Sequence, residues 1–579
     1  MQCILFVFLL QLFSAARCQE KKRPEVTVNT GKMFGKTRPS YDNGQSGEVH
    51  SYFGVPYGEA PTGERRFRAP ERLRKWPGEV NVFDATSLAR SCYWTLDATF
   101  KGFAGSEMWN SNTNLTEDCL NMNIWVPVDN PKFDGTVMVW IYGGGFFSGS
   151  PSLDLYNGEA LAAEAGVIVI NINYRLGPFG FLYLNSTDAP GNMGLLDQQL
   201  ALEWIHENVH VFKGDKHKVT LFGESAGAAS VSAHLFAPQS WPLFRNVILQ
   251  SGTILNPWAL ASTDEMMKRS RWMLEATGCP FEPADDALKC LRAKTKEEIQ
   301  AAADGTLGKV RFMEFPFVPM NDDGTFFPND VYQMLCAGGY KKVPILVGTV
   351  TDEGTYWLPY FIPTAFPFDP KLDANKGRNE AHIDWPTYLK SARTTIGDYQ
   401  PQVTAKAATL MYIEDSVSAQ GCAASSAMRD AVGSMLGDQF FACDVFRFAR
   451  RVAEHGNDEL YMYQFTQRST ANPWPKWMGV MHGYEIEYAF GGPLRQPEKY
   501  EPNSKSEAAF SRRVIEIWTS FARNGKPPAK SGLTWNHYGA PKYEHYRLNG
   551  TTERVVDNLN AEKCALLTET KSKGASAHC

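Results

Sequence analysis

The chain is expected to adopt an α/β fold, with a large, mostly parallel central sheet and helices on both faces. Three observations lead there. Short apolar runs rich in β-branched residues recur along the chain and alternate with helical stretches. One of these runs leads into Gly223-Glu224-Ser225-Ala226-Gly227 and then into small residues suited to a closely packed helix, a strand–turn–helix context. No Pro/Ser/Gly spacer, charge block or internal repeat divides the 579 residues, so the chain reads as one large unit.

Taken in order, the elements begin with an apolar stretch from Ile4 to Phe13, followed by Ala16-Arg17-Cys18 and then polar Gln19. This reads as a secretory signal over residues 1–18, although a basic first segment is missing. Residues 135–142 and 166–174 follow as buried-strand patterns, then a helix from Asp197 to Val209. Val219 to Phe222, Asn246 to Gln250, Val343 to Gly348 and Leu460 to Phe465 continue the strand series. The expected organisation is a signal at 1–18, a catalytic unit at 19–565 and a short polar tail at 566–579. In such a sheet, ligands bind at the carboxyl ends of the strands.

Composition narrows the function. A 43% hydrophobic content with 13% aromatics suits a large packed core. Mean hydropathy is −0.32, and no long apolar run follows residue 18, which argues against a membrane span. A net charge of −5 and no basic patch with interleaved aromatics argue against a nucleic-acid partner. Three N-x-[ST] sequons, at Asn114, Asn185 and Asn549, fit an extracellular, disulfide-permissive compartment. No apolar tail follows Lys571, which argues against a lipid anchor. There is no H-E-x-x-H and no phosphate-loop pattern, so neither a metal nor another cofactor is expected.

The chemistry centres on Ser225. A serine hydroxyl needs a base to take its proton and a third group to orient that base. In this strand–turn–helix context the acid and then the histidine follow the serine along the chain. Glu353 and Asp352, just after a strand, are the acid candidates. His482, in a Gly-flanked loop after another strand, is the favoured base; His382, His455, His537, His545 and His578 also follow Glu353. Gly143-Gly144-Gly145, directly after a buried strand, can aim two N–H groups at a developing oxyanion, with the Ala226 N–H as a third donor.

These segments resemble the cholinesterases of the carboxylesterase family, and among them the secreted invertebrate, nematode-like acetylcholinesterases. The similarity runs from about Val26 to Cys564. It is carried by Tyr52-Phe53-Gly54-Val55-Pro56-Tyr57, Gly105-Ser106-Glu107-Met108-Trp109-Asn110, Glu117-Asp118-Cys119-Leu120-Asn121, Ala189 to Leu195, the serine turn, and Gly479 to Glu487. The resemblance implies an α/β-hydrolase fold and a Ser225, Glu353, His482 triad. The oxyanion donors would be Gly144, Gly145 and Ala226, and the choline site Trp109, Glu224 and Tyr356. An aromatic face suits a quaternary ammonium, which cannot donate a hydrogen bond. The acyl pocket falls on Trp258, Met313, Phe315 and Trp357, and the gorge mouth on Asp97, Phe147 and Tyr360. The expected disulfides are Cys92–Cys119, Cys279–Cys290 and Cys443–Cys564.

Departures from the family pattern set further expectations. Met313 stands where Phe is usual, which widens the acyl pocket, and Trp357 can refill it. Acetylcholine is expected to be preferred, with larger acyl groups tolerated. Thr95 and a Trp-free stretch from Asp304 to Lys309 reduce the gorge-mouth site. Cys336 and Cys422 either form a fourth bridge or remain two buried thiols, and Cys579 could join two chains. The expected protein is a secreted, unanchored monomer or disulfide-linked dimer that acts on small choline esters. The rivals are a broad esterase for uncharged esters and a non-catalytic adhesion or ligand-sequestering relative.

Overall fold

The computed structural model describes residues 23–39, 47–414 and 420–569. The signal expected at 1–18, with Cys3 and Cys18, lies outside the described residues, as do the last part of the expected tail and Cys579.

Eleven strands form the main sheet: β1 (Lys36–Arg38), β2 (Val49–Pro56), β3 (Asn121–Pro127), β4 (Val137–Ile141), β5 (Ile168–Ile172), β6 (Val219–Glu224), β7 (Asn246–Gln250), β8 (Ile345–Val350), β9 (Leu460–Phe465), β10 (Glu544–Leu548) and β11 (Arg554–Asp557). Their spatial order is β11-β10-β9-β8-β7-β6-β4-β5-β3-β2-β1. Pairing is parallel from β10 through to β5 and antiparallel outside that block. β4 to β9 are buried along their full length. That is why they read as continuous apolar runs rather than alternating ones. Every predicted strand is present, within two residues at either end. β1, β2, β3, β10 and β11 were not foreseen. They lie at the two margins of the sheet, antiparallel except where β10 joins β9 in parallel, and β2 carries His50 and Gly54 with a register break between Tyr52 and Val55.

Helices cover both faces. α1 (Met193–Asn208) starts four residues before the predicted Asp197 because Asn192 turns into the left-handed region, φ 55°, instead of capping it in the usual way. The Asn192 amide is used elsewhere: it exchanges hydrogen bonds with the backbone of Met320 at 2.7 and 2.8 Å. α2 (Ala226–Leu235) is built from the small residues after Ser225 and is wholly buried between β6 and its neighbours. α3 (Thr263–Thr277), α4 (Cys422–Gly437), α5 (Cys443–Glu454) and α6 (Ser504–Asn524) complete the parts needed below. No helix among the described residues is long and apolar enough to cross a membrane.

The topology already points to one spot. From β4 the chain crosses to β5 on one side, and from β6 it crosses to β7 on the other. The carboxyl ends of β4 and β6 therefore flank a switch point, where open α/β sheets place their ligands. Gly143–Gly145 leaves one of these ends and Ser225 leaves the other.

All three expected disulfides form: Cys92–Cys119, Cys279–Cys290 and Cys443–Cys564. The last closes 121 residues, worth about 5 kcal/mol in the chain-entropy account. It pins the final helix, Ala561–Glu569, to α5. The boundary expected at 565/566 falls inside that helix, where Leu567 is buried, so the packed unit reaches further than the sequence reading gave it. Cys336 is disulfide-bonded and Cys422 is a free, exposed thiol. The two neither pair with each other nor form two buried thiols. Cys422 opens α4 at the surface.

Candidate active site

Ser225 sits between β6 and α2 with φ 56° and ψ −123°, a conformation that costs a non-glycine residue about 1–3 kcal/mol. Its N–H donates to the Gln250 carbonyl at the end of β7 (2.9 Å), which helps hold the turn. Close backbone approach explains the flanking glycines: a Cβ on Gly227 would lie 1.9 Å from the Ile141 carbonyl oxygen. Gly143 is pressed against the same turn, where a Cβ would lie 2.9 Å from that of Ser225. Gly144 and Gly145 follow with φ of 109° and 59°. Neither donates its N–H to any group among the described residues.

His482 is held between two carboxylates. Its Nδ1 lies 2.6 Å from Glu353 Oε2, and its Nε2 lies 3.1 Å from Glu224 Oε1. The first contact is an aligned hydrogen bond. The second is not, so both Nε2 and Glu224 Oε1 are buried without a directed partner. Glu353 is fixed in turn by the Val350 N–H, which donates to Oε1 at 2.9 Å. All four side chains, Ser225 included, are almost fully buried.

Asp352, the rival acid, faces the other way. It accepts from the Val480 N–H (2.8 Å), while its own N–H donates to the Val480 carbonyl (3.0 Å). It therefore anchors the loop that carries His482 without touching the imidazole. Burial pushes its carboxyl up to about 6. Of the other histidines, His545 is buried against Phe446 and the Tyr543 carbonyl, and burial pulls it down to about 4. His382 contacts Ser426, His537 lies against Tyr461, and the Lys342 ammonium donates to the His455 carbonyl. His578 lies outside the described residues.

Burial and the nearby Glu353 hold Glu224 well above the usual carboxylate range. A further buried carboxyl, Glu485, takes a hydrogen bond from the Gln250 amide (3.0 Å), and burial and then Glu224 push it up to about 8. The sequence reading passed over it, although it lies in the quoted Gly479–Glu487 segment.

Trp109 is half-buried and packs an edge beside Gly483, the residue after His482. A Cβ there would lie 2.9 Å from Trp109 Cη2 and 3.5 Å from Glu224 Oε1. The indole therefore borders both Glu224 and the His482 loop. It is not lost in the interior, and no Lys or Arg among the described residues lies over its ring. Tyr356 belongs to the same aromatic cluster. Its hydroxyl reaches Tyr360 (3.4 Å), whose own hydroxyl donates to Asp97 (2.9 Å). A polar thread thus runs from the predicted mouth to the predicted choline site. Thr95 donates to Asp304 (2.6 Å) at the same rim.

The acyl-pocket candidates divide into two groups. The Phe315 ring crowds Gly145 and lies 4.7 Å from the ring of Phe147, so the residue expected at the mouth adjoins the expected acyl pocket. Trp258 and Trp357 meet through Phe441, which lies 5.7 and 5.8 Å from them and 4.4 Å from the His482 ring. The sequence reading missed Phe441. It sits in a π-helical turn, Asp438–Ala442, between α4 and α5, and only contact with His482 reveals it. Trp474, which packs on Phe100, Phe103 and Tyr356, was likewise missed. Met313 is buried with φ 61° in the same loop as Phe315. Asn114 and Asn185 are exposed. Asn549 is only half-exposed, and its amide donates to Thr466.

A strained serine at a switch point, two unengaged glycine N–H groups nearby and a buried carboxylate-bonded imidazole fit a serine-hydrolase type of α/β enzyme. The chain belongs to the carboxylesterase family, whose model matches residues 22–567. Among curated relatives it is 40% identical over 544 residues to a cholinesterase of Mus musculus, covering 93% of this chain and 85% of that one. It is 39% identical over 554 residues to acetylcholinesterase 4 of Caenorhabditis briggsae, covering 92% and 88%. An acetylcholinesterase of Bungarus fasciatus is 40% identical over 544 residues, covering 93% and 85%.

Proposed function

We propose that this chain is a secreted serine esterase that cleaves acetylcholine to choline and acetate through an acyl-enzyme. The observation that carries the reading is the imidazole of His482, bonded to Glu353 through Nδ1 and close to Trp109 through Gly483. This proximity supports a base working next to a cation-receiving ring. His482 Nε2 takes the proton of Ser225, and the serine oxygen attacks the ester carbonyl. The N–H groups of Gly144, Gly145 and Ala226 stabilise the oxyanion. The imidazolium then gives its proton to the departing choline, and water repeats the attack on the acyl group. Glu353 keeps the imidazole in the tautomer this requires and stabilises its charged form.

Choline is received by the indole of Trp109 and the ring of Tyr356. The acyl group lies against Phe315, with Phe147 behind it. The Asp97–Tyr360–Tyr356 thread gives the cation a path inward. Extracellular location and the monomer-or-dimer state belong to the same proposal, supported by the disulfides and by the exposed sequons at Asn114 and Asn185.

A kinetic panel on acetylthiocholine and its uncharged isostere, with organophosphate titration of the active serine, tests the reading. The expected result is one titratable site per chain, lost in Ser225→Ala, with kcat/KM clearly higher for the cationic ester. Equal kcat/KM for the two esters would leave a general esterase. Equal turnover of benzoyl- and acetylcholine would reject the acyl preference.

A further inference from the structure

Behind the loop that carries Phe315 lies a second cavity of about 340 Å³. It shares Trp258 and Phe315 with the acyl side, but Ser225, Glu353 and His482 do not line it. Its walls bring four cationic side chains, Lys268, Arg269, Lys309 and Arg311, against two carboxylates, Glu265 and Glu314. Each carboxylate is shared. Glu265 serves Lys268 (3.4 Å) and Arg269 (3.1 Å), and Glu314 serves Arg269 (2.9 Å) and Arg311. Lys309 pairs with no carboxylate among the described residues.

Three of the four cations lie over aromatic rings. The ammoniums of Lys268 and Lys309 both lie over Trp272, at 4.8 and 5.5 Å, and Arg311 lies over Tyr399 at 4.6 Å. Two like charges held against one indole repel each other, and a bound anion relieves that repulsion. Guanidinium and ammonium groups converging on a concave site suit a tetrahedral oxyanion.

We propose that this cavity binds a small multivalent oxyanion of the phosphate or sulfate class. The site is wired to the acyl side. Arg269 is buried and donates to the Phe315 carbonyl (2.8 Å) while pairing with Glu314, the residue before Phe315. An anion that draws on Arg269 or Arg311 weakens their hold on Glu314 and shifts the loop that carries Phe315. This second link rests on the esterase reading; the binding itself does not.

Calorimetry with inorganic pyrophosphate and with sulfate, at an ionic strength fixed with sodium chloride, tests the site on the intact protein. Saturable binding of one anion per chain is expected, weakened about tenfold or more in K268Q/K309Q, which alters only exposed side chains. Binding of pyrophosphate alone assigns the phosphate class, and binding of both assigns oxyanions at large. No saturable heat with either anion, or equal binding by the double variant, overturns the proposal. For the link, saturating pyrophosphate should change the ratio of propionyl- to acetylthiocholine turnover in the parent and not in K268Q/K309Q. Binding with an unchanged ratio overturns the link.

Discussion

Removing the indole of Trp109 should separate recognition of the cation from the chemistry. The ring borders Glu224 and the His482 loop, and no Lys or Arg among the described residues lies over it. Burial and the neighbouring Glu353 hold the Glu224 carboxyl above the usual carboxylate range. A desolvated cation over an indole is worth about 2 kcal/mol, or about 30-fold in kcat/KM. Trp109→Ala should therefore lower kcat/KM for acetylthiocholine about 30-fold more than for its uncharged isostere. The serine chemistry should be spared, so the rate of phosphorylation by a neutral organophosphate should change little. Equal losses on the two esters would refute the reasoning, because the ring would then be packing the cleft rather than receiving a charge.

Three further outcomes follow from the same geometry. Glu353→Gln should cut kcat about 10⁴-fold by losing the Nδ1 partner, whereas Asp352→Asn, which still accepts from Val480, should stay within about tenfold of the parent; steady-state turnover decides between them. Gly227→Ala forces a Cβ to 1.9 Å from the Ile141 oxygen and should cost roughly 3 kcal/mol or more, read from urea midpoints. Glu485 holds its proton up to about 8, against about 4.3 in an unfolded chain. Between those values the folded state binds the extra proton, so this group makes stability fall as pH rises, by about 1.4 kcal/mol per pH unit. Glu485→Gln should remove that slope in urea unfolding series run between about pH 5 and pH 8.

The parallel block from β9 to β5 was legible because strands buried on both faces must be apolar throughout, as in Val137–Ile141 and Ile345–Val350, whereas β10 is only partly buried and carries Glu544, His545 and Arg547. The marginal antiparallel strands were not, since Val49–Pro56 breaks its register and mixes His, Ser and Gly into the run. Ser225 and its glycines could be read because steric necessity fixes their spacing. The choice between Asp352 and Glu353 could not be read locally, because the two are adjacent and differ only in which way each points. Phe441 and Glu485 act through contacts across more than 40 and more than 230 residues with His482 and Gln250, and no local pattern marks such partners. The outcome for Cys336 and Cys422 was equally non-local.

The absence of any side chain between Gly227 and the Ile141 carbonyl has a consequence for how such a protein can change. The helix that follows Ser225 and the strand that leads to Gly143–Gly145 meet backbone to backbone, with no soft layer to absorb adjustment. The reacting centre is thus locked as one piece. Diversification of ester preference is left to the aromatic rim around it, where rings can be exchanged without disturbing the machinery beneath.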